Sequence, residues 1–119
     1  MPCNSQLRSY QDEAEKLAAR GVRLVAISVD PAEVTREHVR KMGYGFTFLS
    51  DERRELIRRY DLLHRGGGPE DSDISLSAEF LLDASGTVRW QNLRQGEGPK
   101  YRTFAHQFWP VLDRVEAQR

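Results

Sequence analysis

The chain has 119 residues and a mass of 13.7 kDa, the size of one domain, which on folding buries roughly 65% of the surface of its unfolded chain. Its 18 Lys and Arg balance 18 Asp and Glu for zero formal net charge and a pI near 6.8, so no long-range field attracts nucleic acid or anionic lipid. Hydrophobic residues make up 39% at a mean hydropathy of -0.66; no apolar run nears the roughly 20 residues of a membrane helix, and the single Cys3 excludes an internal disulfide or a cysteine-rich zinc site.

Met1, Pro2 and Cys3 lead straight into Asn4, Ser5 and Gln6 without a basic stretch or apolar segment of the targeting kind, so a reducing, cytoplasmic setting is expected. Residues 1–119 show no repeat or low-complexity tract and are expected to form a single domain. Leu7, Tyr10, Ala14, Leu17 and Ala18 recur at steps of three and four, predicting a helix from about Asn4 to Arg20 with Gly21 as its left-handed stop. Val22 to Val29, apolar almost throughout and rich in β-branched residues, reads as a parallel strand covered on both faces.

Asp30 is placed to cap the next helix, with Pro31 at its first position, Glu33 completing a capping box, and Val34, His38, Val39 and Met42 facing inward before Gly43. Phe46 to Leu49 is a short strand, and Ser50 or Asp51 caps a further helix through Leu56, Ile57 and Tyr60. Residues His64 to Ser75, with three glycines in a row, a proline and an excess of acid, read as a mobile loop. Ala78 to Leu82 and Thr87 to Leu93 are two strands of an antiparallel hairpin turned by Asp83, Ala84, Ser85 and Gly86. Tyr101, Phe104, Phe108, Val111, Leu112 and Val115 mark a last helix, with Pro110 as a kink or restart point. Early alternation followed by a late hairpin predicts an α/β fold of three layers, a mixed sheet with helices on both faces.

Pro2-Cys3 opening a helix with Leu7, followed by GVRLVAISVD, FTFLSD and AEFLLDASGTVRW, is similar to the thioredoxin-like peroxiredoxin (redoxin) superfamily, and within it resembles the alkyl hydroperoxide reductase and thiol-specific antioxidant branch. The resemblance runs from Pro2 to about Leu93. It implies a thioredoxin-like three-layer sandwich and thiol-dependent reduction of small peroxides or disulfides, with no cofactor, and with an external thiol reductant of the thioredoxin or glutathione type. Members of the family enter the sheet through a central strand and reach a Trp-Cys-x-x-Cys or Thr-x-x-Cys motif before the helix. Met1-Pro2-Cys3 aligns with the last three positions of Cys-x-x-Cys. The resemblance therefore implies that the attacking cysteine and the N-terminal central strand lie before the first residue, as in a truncated reading frame or fragment, and that Cys3 is the second, resolving cysteine. Ser77 stands where thioredoxins carry a cis-proline and many peroxiredoxins an arginine, so it supplies no positive charge to a thiolate or peroxide oxygen.

Cys3 is the one soft nucleophile, and a place near a helix N-terminus favours its thiolate; Pro2 and Ser77 are the supporting positions. The bland alternative is an inert thiol at a frayed terminus. His38, His64 and His106 lack the i, i+4 pairing and neighbouring acids of a metal site, so none is expected and His38 and His106 read as packing or surface residues. Gly66, Gly67 and Gly68 precede Pro69 and the acids Glu70, Asp71 and Asp73, which repel a phosphate. Arg53, Arg54, Arg58, Arg59 and Arg65, interleaved with Glu52, Glu55 and Asp61, are expected to pair along an exposed helix face. Trp109 falls off the apolar stripe of the last helix, and its exposure would mark a partner surface. The rival function is a catalytically silent thioredoxin-fold module that binds a partner or forms a homodimer through unpaired strand edges.

Overall fold

A computed structural model describes residues 2–66, 69–72, 74–75, 78–93 and 105–118, with the backbone alone at 2–4, 64, 69 and 74–75. The chain divides into two compact units, one made of 1–13 with 77–119 and the other of 14–76.

The first unit holds α1 (Pro2–Asp12), β5 (Ala78–Leu82), β6 (Val88–Leu93) and α5 (Ala105–Ala117). The single helix expected over 4–20 is in fact two, α1 and α2 (Ala14–Ala19), and the divide between the units falls at the same place. The Glu13 amide donates to the Tyr10 carbonyl at 3.1 Å, a tightened turn that ends α1. Apolar spacing runs through this break, so periodicity alone does not reveal it. Pro2 opens α1, a position where its lost N–H has no helical partner to miss.

β5 and β6 form the expected hairpin in antiparallel register, Glu79 opposite Asn92 and Leu81 opposite Trp90, with an irregularity between Leu81 and Leu82. Its turn is built by Asp83, whose Oδ1 accepts the Ser85 and Thr87 amides at 2.9 and 3.0 Å and the Ser85 hydroxyl at 2.6 Å, while Gly86 takes φ +88°. The Ser85 hydroxyl, and after it the Thr87 amide, holds the Asp83 carboxyl below its usual range. The apolar stripe of α5 buries Ala105, Phe108, Val111 and Leu112, and the helix runs on through Pro110, so no restart occurs there. Tyr101 and Phe104 lie outside the described residues. Trp109 is half-buried and engaged, which removes the exposed aromatic that would have marked a partner surface.

In the second unit, β1 (Val25–Ser28) pairs with β2 (Thr47–Ser50) in parallel, Val25 with Thr47 through Ser28 with Ser50. The strand is not covered on both faces as its composition predicts: Val25 and Ile27 are 41% and 43% exposed, and Leu49, which pairs with Ile27, is 51% exposed. On the opposite face α3 (Ala32–Met42) lies close to β2, and Ser28 Oγ meets the buried Thr35 Oγ1 at 3.4 Å. A run of β-branched residues marks a strand, but the number of covering layers is set by tertiary context. The start of α3 also departs from expectation, since Pro31 is its N-cap, extended at φ -55° and ψ 149° with no side-chain cap. Asp30 instead donates its amide to Ser28 Oγ at 3.2 Å and accepts the Ser50 hydroxyl at its carbonyl. Val34 is 53% exposed, and Thr35 takes the buried place. Gly43 closes α3 at φ +73° with its amide on the Val39 carbonyl at 2.9 Å.

Asp51 caps α4 (Glu55–Arg59) as expected, its two oxygens accepting the Leu56 and Ile57 amides at 3.1 and 3.0 Å across a left-handed Arg54. α4 is five residues long, and Arg54, just ahead of it, donates to the Glu52 carbonyl at 2.6 Å. The segment read as a mobile loop carries order of its own: β3 (Leu63–His64) pairs antiparallel with β4 (Ile74–Ser75) around a 3-10 turn at Pro69–Asp71. Two backbone pairs need no apolar repeat, which is why composition hides them.

Candidate functional site

Cys3 is the second residue of α1, inside the first turn, where amides without helical partners and the positive end of the helix dipole favour an anion. Ser77 and the Gly67–Gly68 pair lie outside the described residues, so the expected juxtaposition of Cys3 and Ser77 does too. Of the histidines, His38 stands edge-on to Tyr44 with centroids 6.0 Å apart, and His106 is exposed on α5. Among the described residues no three His, Cys, Asp or Glu gather as metal ligands.

One turn beyond Cys3, the structure brings together residues that sequence reasoning passed over. Gln6 is nine-tenths buried, and its Nε2 donates to Glu79 Oε1 on β5. The other oxygen of Glu79 accepts Asn92 Nδ2 from β6 at 2.7 Å. Tyr10, one further turn along α1, is buried, and burial first, then the negative charge of Glu79, pushes its hydroxyl well above the usual tyrosine range. Tyr10 meets Phe108 of α5 edge-on at 6.2 Å, and Phe108 meets Trp90 of β6 at 6.1 Å. Ser9 Oγ donates to the Gln6 carbonyl at 2.7 Å and accepts the Ala105 amide at 3.1 Å, satisfying the first N–H of α5. α1 is thus seated on the hairpin and on α5 by a polar layer and an aromatic layer.

Two signals in the sequence point to this cluster. Gln6 precedes Tyr10 by four residues, a polar member of the same helix face, and Glu79 interrupts the apolar strand Ala78 to Leu82. A charge inside an otherwise apolar strand is retained only where partners meet it.

The second unit carries a different surface. Tyr44, Phe46 and Phe48 stack at 4.9 to 5.6 Å along an open groove of about 890 Å³ beside α3, rimmed by the Arg40–Glu37 ion pair. None of its lining residues is a thiol or a histidine, so it offers stacking area without a nucleophile.

The sequence model of the AhpC/TSA family matches residues 1–91. The alkyl hydroperoxide reductase C of Buchnera aphidicola subsp. Baizongia pistaciae is 28% identical over 98 residues, covering 76% of this chain and 47% of that protein. A thioredoxin peroxidase of Echinococcus granulosus is 27% identical over 94 residues, covering 73% of this chain and 46% of its own. The chain thus spans about half the length of these curated relatives. Among solved structures, the reduced 2-Cys peroxiredoxin of Plasmodium vivax superimposes with a TM-score of 0.79 at 22% identity, covering 98% of this chain and 69% of that one. That likeness is one of fold, and it bears out the α/β class read from the alternation of elements and the hairpin, and the thioredoxin-like fold that the family resemblance implies. With most of its length matched, from the turn that holds Cys3 to the second strand of the hairpin, the chain belongs to the AhpC/TSA family.

Proposed function

We propose that the protein takes part in thiol-dependent reduction of peroxides or disulfides, with Cys3 as the resolving sulfur of a Cys-x-x-Cys-type pair and Pro2 and Ser77 as its supporting positions. The observation that carries this reading is the family match beginning at the helix turn that holds Cys3. In the cycle, a leading thiolate attacks a peroxide oxygen, the O–O bond breaks and the alkoxide leaves as alcohol after protonation, giving a sulfenic acid. Cys3 then attacks that sulfur, the S–S bond forms, and the hydroxyl leaves as water with the thiol proton. An external dithiol of the thioredoxin type, or glutathione, returns both sulfurs to thiols by exchange. Such pools are reduced in the cytoplasm, where we place the reaction.

The test is dithiothreitol-driven peroxide consumption by the chain, by Cys3→Ser, and by a version carrying a family-type strand ending in Trp-Cys ahead of Met1. Because dithiothreitol itself reduces a sulfenic acid, the products formed before it is added decide: a disulfide at Cys3 in the extended version, and a sulfenic acid on its leading cysteine when Cys3 is serine, support the assignment; the same sulfenic acid with Cys3 present contradicts it.

A second reading, a silent binding or dimerising module, is favoured by the exposed apolar face of Val25, Ile27 and Leu49. Sedimentation separates the two: a dimer dispersed by Ile27→Lys, in a chain without turnover, favours the module.

A further inference from the structure

We propose that the protein pairs with a second copy of itself along the outer edge of β2, with a two-fold axis at Leu49 that sets the two α3 helices antiparallel and matches their charges. This dimer goes beyond the two readings above and rests on neither, since it uses no thiol and is joined at a strand edge and a helix stripe, not through the face of Val25 and Ile27.

The strand edge is one half of the surface. β1 and β2 form a two-stranded sheet, so among the described residues no strand pairs with the far side of β2. The Asp51 amide donates to the Ser28 carbonyl at 2.6 Å. Backbone groups alternate sides along a strand, so those of Phe48 and Ser50 point away from β1. Thr47, Leu49 and Ser50 are exposed, and β2 carries none of the charges or prolines that block an edge. In an antiparallel pair centred on Leu49, Phe48 of each copy exchanges backbone hydrogen bonds with Ser50 of the other, and the two Leu49 side chains meet.

The stripe of α3 is the other half. Glu33, Arg36, Glu37 and Arg40 line one side of the groove, across from Phe48 and Ser50, and no residue of β1 lines it, so the stripe faces the open edge. Arg40 pairs with Glu37, while Glu33 and Arg36 have no ion pair among the described residues. Ser50 pairs with Ser28, whose Oγ meets Thr35 Oγ1 at 3.4 Å. Leu49 lies one residue, about 3.3 Å, back along β2, a distance that α3, running the other way, covers in about two residues. The axis therefore falls at the step between Arg36 and Glu37. A two-fold there sets Arg36 against Glu37 and Glu33 against Arg40 of the other copy, opposite charges throughout. Because α3 lies close to β2 and also touches Ser28 of β1, it stands about one strand spacing from the axis, which brings its twin to about 10 Å, the distance at which helices pack.

The test is sedimentation velocity of the full chain and of two stripe variants, each checked for folding by circular dichroism. Wild type should pass from monomer to dimer between about 10 μM and about 1 mM, where small interfaces associate; a monomer throughout overturns the proposal. Glu33→Arg with Glu37→Arg makes the stripe wholly cationic, and Arg36→Glu with Arg40→Glu makes it wholly anionic. Each alone should raise the dissociation constant at least about tenfold, and an equimolar mixture should recover a mixed dimer. Variants that dimerise alone as wild type does, or that stay apart when mixed, overturn it. Should a variant not fold, Leu49→Cys in a Cys3→Ser background decides. At the axis the two Cα atoms stand about 4.5 Å apart, within disulfide reach, so air oxidation should give a covalent dimer on nonreducing electrophoresis that Val25→Cys, at a position 41% exposed, does not give; no dimer, or equal yields, overturns it. A dimer dispersed by Ile27→Lys and untouched by the charge variants belongs to the apolar face instead, and this proposal then fails while that reading stands.

Discussion

The two units of this chain are held together in different ways. In the unit of α1, β5, β6 and α5, side chains distant in sequence meet: Gln6 reaches Glu79 across 73 positions and Ser9 reaches Ala105 across 96. In the unit of β1, α3, β2 and α4, most of the bonds are local. Asp51 caps the helix a few residues ahead, Gly43 closes α3 on Val39, and the parallel ladder leaves Val25, Ile27 and Leu49 exposed. The difference shows which unit is fixed by residues far apart in the chain. Long-range polar contacts fix the orientation of α1, and with it the turn of Cys3, whereas the second unit supplies a ladder and an aromatic surface.

Substitutions should separate the two units, and the largest effect belongs to the first. Phe108 joins the Tyr10 and Trp90 rings, and Phe108→Ala is expected to cost about 3 to 5 kcal/mol in chemical denaturation; a loss below about 1 kcal/mol would mean that α1 and the hairpin do not share this ring as a core. In the second unit Asp51→Ala removes the acceptor of the Leu56 and Ile57 amides, for a loss of about 1 to 2 kcal/mol in the same measurement.

Alkaline pH acts on the first unit through Tyr10. The hydroxyl of the unfolded chain ionises near the ordinary tyrosine value of 10.0, while that of the folded chain is held protonated above it, so stability is intact below about pH 10 and falls above it by up to about 1.4 kcal/mol per pH unit. Tyr10→Phe should flatten that limb of the pH profile of the melting temperature; an unchanged slope would show that Tyr10 is not the group responsible. The smallest change is expected at Val34, exposed on α3, where Val34→Ala should move stability by no more than about 0.5 kcal/mol.

How much was legible follows the same division. Elements fixed by near neighbours could be read directly: the Asp83 to Gly86 turn, the Asp51 cap and the Gly43 stop each depend on a residue's own hydrogen-bonding or conformational preference. Burial could not be read so well. Val22 to Val29 has the composition of a doubly covered strand, yet Val25 and Ile27 face outward, because composition reports how a strand fits a pleated surface and not how many layers reach it. The break after α1 hides within an unbroken apolar spacing. At the site, Cys3 stood out as the chain's one soft nucleophile, while Gln6, Glu79 and Asn92 did not, since a strand glutamate looks like surface until the hairpin register sets it opposite Asn92.

Most direct for the resolving role is a single-equivalent peroxide reaction on the chain carrying a cysteine placed immediately before Met1, mapped by peptide mass spectrometry. A resolving Cys3 predicts a disulfide between that cysteine and Cys3, with loss of two hydrogens and no free thiol at either position. Sulfenic or sulfinic acid on the leading cysteine, with Cys3 still open to alkylation, would contradict it.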